Sequence, residues 1–211
     1  MSFCTRQRRR KLHHLRLRRD SARWLADGWL ERIGSYAHSG RRVPQLIQHF
    51  HSPNHSPRPD GATISLLVVH AISMPPGCFS SYYIKRFFLN RLPAKAHPWV
   101  AGVADVKVAS HFYIRRDGQL WQFVGTENSA WHAGQSCWQG RQNCNDYSIG
   151  VELAGCDWLA YTSAQYKTLR RLIRILRVRY PYLRDIVGHS DIAPGRKTDP
   201  GERFVWRKLQ V

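Results

Sequence analysis

The residues most able to do chemistry lie near the C-terminus, where Gly188, His189, Asp191, Pro194, Gly195, Lys197, Asp199, Pro200 and Gly201 fall within fourteen positions. Proline and glycine punctuation makes such a segment locally rigid, so its ionisable side chains can be held in fixed positions by the backbone. Two readings follow: a metal-and-catalysis loop, or ordinary turns with solvated charges. A second segment favours the first. Ser65-Leu66-Leu67-Val68-Val69-His70 is an apolar, β-branched run ending in histidine. It predicts a buried strand delivering an imidazole to its C-terminal edge, where ligand sites collect in α/β folds. Arg184 to His189 repeats the pattern more weakly. Two strand-terminal histidines and a nearby carboxylate make three protein ligands and leave one tetrahedral position open, as in catalytic zinc sites.

A third segment offers an acid-base group. In Ser148 to Gly155, alternation places Ile149, Val151 and Leu153 on one face and Ser148, Gly150 and Glu152 on the other. Glu152 is then either a solubilising charge on a wet edge strand or a carboxylate aimed at the histidines. His189-Ser190-Asp191 also has the H-x-D spacing that begins the two-histidine, one-carboxylate triad of non-haem iron enzymes. That triad needs a further histidine downstream, and His189 is the last in the chain. Asp191 is therefore expected at a loop or helix start, as an outer partner that orients the imidazole.

At this point the sequence resembles a known family. L-L-V-V-H at Leu66 to His70, W-H-A-G at Trp131 to Gly134, C-N-D-Y-S-I-G-V-E-L at Cys144 to Leu153 and G-H-S-D-I-A-P-G-R-K-T-D-P-G at Gly188 to Gly201 are similar, in order, to blocks of the AmpD-type 1,6-anhydro-N-acetylmuramoyl-L-alanine amidases. More distantly the pattern resembles bacteriophage lysozyme-type amidases and peptidoglycan recognition proteins. The resemblance implies a Zn2+ ion held by His70, His189 and Asp199, with Glu152 and Lys197 as the catalytic pair. An amide carbonyl is a poor electrophile; zinc polarises its oxygen and lowers the pKa of bound water from about 15.7 to about 7. Glu152 would take the water's proton and return it to the leaving amine of L-alanine. Lys197 would face the developing oxyanion, where one placed donor is worth ~3 kcal/mol.

The same resemblance extends to a substrate groove. His111, within Val108 to Ile114, and His132, in the W-H-A-G block, are expected either to line it or to be satisfied structural histidines. Trp131 is a candidate platform for a sugar ring. Lys107 and Asn143 stand where the family commonly carries arginines that touch the muropeptide, and Ala71 where an asparagine often follows the first histidine. These departures bear on substrate affinity and specificity rather than on the metal ligands.

The elements that must position these groups predict a single α/β domain, a mixed central β-sheet flanked by helices of the amidase and peptidoglycan-recognition-protein type. A helix is expected from Ser81 to Leu92, and a hairpin from Val108 to Arg115 and Gln119 to Val124 around Asp117-Gly118. A longer helix is expected from Ser163 to Tyr180, capped by Thr162 with Gln165 and stopped by Pro181. Tyr166, Leu169, Leu172, Ile173, Leu176 and Tyr180 form its apolar stripe; Lys167, Arg170, Arg171, Arg174 and Arg177 form its charged face. The Pro- and His-rich stretch Ser52 to Pro59 reads as a surface loop.

The chain has 211 residues, 43% of them hydrophobic, with eight tryptophans, enough for one core and an extension. No apolar run approaches the ~20 residues of a membrane span. Five cysteines without a C-x-x-C pair argue against a disulfide framework, so a cytoplasmic protein is expected. Residues 1 to 24 form a basic extension expected to be disordered, or to follow a start assigned too far upstream; residues 25 to 211 form the zinc amidase domain. Residues 1 to 19 carry eight of the formal charge of +19, with no acid and no apolar stretch of a signal peptide behind them. A nucleic-acid arm is the other use of such charge. No recognition motif accompanies it, so no specific nucleic-acid partner is expected, and DNA binding lost with residues 1 to 24 would be its signature. The expected partner is a muropeptide substrate bound by a monomer. The competing function is a non-catalytic peptidoglycan-fragment-binding module on the same fold, which would typically have lost a ligand.

Overall fold

The computed structural model describes residues 22–36, 42–93, 95 and 97–209. Its main sheet has six strands. In chain order the strands are β1 (Ala22–Trp24), β2 (Leu30–Tyr36), β3 (Arg42–Leu46), β4 (Gln48–His49), β5 (His55–Pro57), β6 (Leu66–Ile72), β7 (Phe112–Ile114), β8 (Leu120–Gln122), β9 (Asn128–Ala130), β10 (Cys137–Trp138), β11 (Arg141–Gln142), β12 (Ser148–Ala154) and β13 (Asp185–Gly188). The main sheet runs β13-β6-β12-β7-β8-β4. β13, β6, β12 and β7 are mutually parallel, and β7–β8 is the expected antiparallel hairpin with Gly118 at φ 85°. The expected mixed α/β sheet is thus present.

Both faces of β6 and β12 are covered, as parallel strands require. Leu67, Val69, Ile149, Val151 and Leu153 are buried against the long helix, which spans Ser163–Arg179. With Ser81–Phe88 as α1 and Pro98–Ala101 as α2, this helix is α3, and His189–Ile192 is α4. Thr162 and Gln165 form the expected capping box: Gln165 N–H donates to Thr162 Oγ1 (3.1 Å) and Thr162 N–H to Gln165 Oε1 (3.0 Å). Gln165 Nε2 also donates to the carbonyl of Ala154 (2.9 Å), tying the helix start to the end of β12. The apolar stripe is buried as expected from Tyr166 to Leu176, whereas Tyr180, the C-cap, is only partly buried. The charged face differs in one residue: Arg171 is only 8% exposed.

Four further expectations need correction. The first helix ends at Phe88, because Asn90 adopts φ 56° and Pro93 follows. Residues 22–24 are no part of a disordered extension: Ala22–Trp24 pairs antiparallel with β2, while residues 1–21 lie outside the described residues. Segment 52–59 is no surface loop. Its Asn54 is 1% exposed and donates to the carbonyl of Val108 (2.8 Å) and to Asn90 Oδ1 (2.9 Å), and β5 pairs with β9. Finally, the Gly188–Gly201 loop begins as a helical turn. Asp191 Oδ2 accepts from Gly188 N–H (2.7 Å), so Asp191 stands at a helix start as expected, with no hydrogen bond to an imidazole among the described residues.

Candidate metal centre and active site

Strand register brings the chemistry together. β12 pairs with β6 so that Glu152 lies beside His70, and β13 pairs so that Gly188 lies beside Val69. His189, one residue past Gly188, therefore arrives next to His70. In parallel neighbours, paired residues point to the same face, so Glu152, Gly150 and Ser148 share the face of His70, opposite α3. His132 packs over Gly150 and Ser148 on this face, and Glu152 is partly buried.

Three ligand atoms converge there. His70 Nδ1 is 2.9 Å from His189 Nδ1, and Asp199 Oδ2 is 3.3 Å from the first and 3.2 Å from the second. Both histidines are buried and Asp199 is partly so; the group can hold a metal ion. Asp199 reaches it because its carbonyl accepts from Ser190 N–H (3.0 Å), which closes the loop onto α4, and Ala71 N–H donates to its carboxylate (3.4 Å). Burial pushes His70 down to about 4, against the raising effect of the Asp199 contact. Burial opposes ionisation of Asp199, yet the two histidine contacts outweigh it and hold the carboxyl well below its usual range.

Glu152 is beside this group with its Oε2 buried and without a hydrogen-bond partner. Burial first, and then the Asp199 charge, push its carboxyl well above the usual range, while Lys197 works against them. Lys197 is exposed on the same loop, close enough for its charge to act on both Glu152 and His70. A cavity of about 620 Å³ opens beside Lys197, walled by Asp157, Trp158, Arg203 and Trp206; the three ligand atoms lie outside it.

A family model described as N-acetylmuramoyl-L-alanine amidase matches residues 60–202, a span containing all five of these residues. The chain belongs to this amidase family. The amidase is 46% identical over 188 residues to 1,6-anhydro-N-acetylmuramyl-L-alanine amidase AmpD of Citrobacter freundii, covering 89% of this chain and 93% of that one. It is also similar to a crystal structure of a selenomethionine AmpD derivative, at TM-score 0.76 and 48% identity over 77% of this chain and 92% of that chain. A third likeness, at TM-score 0.54 and 27% identity over 82% of this chain and 63% of the other, is to Escherichia coli AmiD in complex with the substrate anhydro-N-acetylmuramic acid-L-Ala-D-gamma-Glu-L-Lys.

Of the expected groove residues in the amidase, Trp131 is on the surface, 37% exposed, with its indole N–H donating to Ser56 Oγ (3.3 Å). Lys107 and Asn143 are exposed and make no side-chain hydrogen bond or ion pair with the ligand group among the described residues. The two other histidines take the structural alternative. His111 is 0% exposed; its Nδ1 accepts from Gly150 N–H (3.0 Å) and its Nε2 meets the carbonyl of Asn128 (3.0 Å). His132 turns inward, with Nδ1 2.9 Å from His70 Nε2 and Nε2 3.1 Å from Ser148 Oγ.

Three residues that sequence reasoning missed build the frame. Asn145 Oδ1 accepts from the backbone N–H of His132 (3.1 Å) and Ala133 (2.8 Å). Arg196 donates to the carbonyls of Ala133 (2.6 Å) and Gln135 (2.5 Å). Arg58 donates to the carbonyls of Thr126, Asn145, Asp146 and Ser148. Asn145 and Arg196 stand inside the matched motifs, a usable signal; Arg58 sits among prolines with nothing local to mark it.

Proposed function

We propose that this chain is a zinc amidase that hydrolyses the amide between 1,6-anhydro-N-acetylmuramic acid and L-alanine of muropeptides during peptidoglycan recycling. The observation that carries the chemistry is the pairing of Glu152 with His70 across β12 and β6, which sets an unpartnered, buried carboxylate oxygen beside three converging ligand atoms. The likeness to AmpD along nearly the whole of both chains supports the substrate class.

The donor set suits zinc. Ligand atoms at about 2.0–2.1 Å from a tetrahedral ion stand about 3.3 Å apart, close to the spacings of 2.9, 3.2 and 3.3 Å among His70 Nδ1, His189 Nδ1 and Asp199 Oδ2. Three protein ligands match the catalytic rather than the structural class of zinc site. When bound, zinc supplies Lewis-acid polarisation of the amide carbonyl and a water that deprotonates near neutrality.

The chain's own groups do the rest. Glu152 accepts the proton of the attacking water at its free carboxylate oxygen and delivers it to the departing alanine nitrogen. Lys197 offers a cation to the negative charge that develops on the carbonyl oxygen. Trp131 provides an exposed aromatic face for a sugar ring. Because one chain contributes all five groups, the active unit is a monomer, one amidase domain behind a basic extension. Free Cys78, Cys137, Cys144 and Cys156 are in keeping with work in the reducing cytoplasm.

The test is hydrolysis of an anhydro-muropeptide by the full chain, followed by chromatography, with chelator and then with zinc restored. Release of free stem peptide that stops with chelation and returns with zinc is the expected result. No release from protein holding one equivalent of zinc would instead favour a binding module on the same fold.

A further inference from the structure

Behind His70 the hydrogen bonds form one uninterrupted series whose direction is dictated at its far end. The carbonyl oxygen of Cys144 has no proton, so Ser148 Oγ, 2.5 Å away, must be the donor. A hydroxyl carries one proton. With that proton committed, Ser148 Oγ presents only lone pairs to His132 Nε2 at 3.1 Å, so Nε2 carries the hydrogen of the His132 ring. Nδ1 of the neutral ring is then an acceptor, and it faces His70 Nε2 at 2.9 Å. His70 Nε2 must therefore be the protonated nitrogen, which leaves Nδ1 bare, and Nδ1 is the atom that meets His189 and Asp199.

We propose that His132 is a positioning residue for the metal centre: through Ser148 and the Cys144 carbonyl it holds His70 in the one tautomer that presents a lone pair to the ion. This inference rests on the metal-centre reading above. His189 reaches the same state by a shorter route, its Nε2 meeting the carbonyl of Ala133 at 3.2 Å. Both ligand histidines are thus oriented from backbone carbonyls, His189 directly and His70 through two side chains. The frame is built to keep His132 in place, since Asn145 pins its backbone N–H at 3.1 Å and Gly150 leaves room for its ring.

Two measurements on the full chain test it. In the zinc-loaded protein, nitrogen-15 NMR of the histidine side chains should find His132, which binds no metal, with its proton on Nε2. In chelator competition, His132→Leu should bind zinc about 10- to 100-fold more weakly. His132→Asn, whose carboxamide oxygen can accept from His70 Nε2–H, should stay within about threefold of the parent. A proton on Nδ1 of His132, parental zinc affinity in His132→Leu, or equal loss in His132→Asn and His132→Leu would overturn the proposal. The NMR result stands even if a variant fails to fold. A parent protein that binds no zinc would instead sink the metal-centre reading itself, a result separable from all three.

Discussion

His132 lies against Gly150 so closely that a β-carbon at position 150 would stand 2.5 Å from Cγ of the imidazole and 2.7 Å from Nδ1. The glycine on β12 is therefore the seat of a ring that contacts His70. Gly150→Ala should push that ring aside without altering its chemistry. An overpacked site of this kind costs about 1–3 kcal/mol, and zinc affinity should fall with it. Denaturant unfolding and chelator competition on the same sample check both; parental zinc affinity in this variant would mean that the seat is unimportant.

Asp199→Ala and Glu152→Gln should separate metal binding from catalysis. Asp199 is one of the three proposed ligands, so the purified variant lacking it should not hold zinc. Glu152→Gln should retain one equivalent of zinc and lose about 10²- to 10⁴-fold in turnover, the range of a positioned acid-base group. Metal analysis beside a muropeptide assay reads both quantities, and zinc retained by Asp199→Ala would break the ligand assignment.

Arg58 should matter to stability although it is remote from the chemistry. Burial lowers its pKa to about 10, and its guanidinium is satisfied by four backbone carbonyls, two of them at Asn145 and Ser148. Arg58→Met leaves those carbonyls without their donor, at a cost of about 3 kcal/mol. Thermal unfolding should show a drop of roughly 10 °C for a chain of this size; an unchanged midpoint would contradict the role.

Acid should destabilise the fold partly through His111. Burial, with the nearby Arg58 charge, pushes its pKa down to about 3, so the folded state refuses a proton that the unfolded chain accepts below about 6.5. Because the unfolded state binds more protons between these values, stability falls as pH falls through that window, by up to about 1.4 kcal/mol per pH unit. His111→Gln should be less stable at neutral pH and lose less between pH 6.5 and 4. Denaturant unfolding at both pH values would refute this if the two proteins showed equal slopes.

The long helix, with Thr162, Gln165 and Pro181 at its ends, and the Asp117-Gly118 hairpin were legible in the sequence because caps, turns and apolar spacing act within a few residues. So were the histidine of β6, although the strand runs on past it to Ile72, the alternation that sets Glu152 apart, and the chemical types crowded between Gly188 and Gly201. What only the tertiary structure decided lies between distant parts of the chain. The pairing of Glu152 with His70 joins residues eighty-two positions apart. It depends on two strands sharing a covered face, which no local preference encodes. The fates of His111 and His132 were open for the same reason: an imidazole becomes a structural link or a ligand contact according to what packs over it. Arg58 read as part of a solvated loop, yet four carbonyls from other segments surround it. Local spacing determined which groups were available for chemistry; long-range register and burial decided which of them meet.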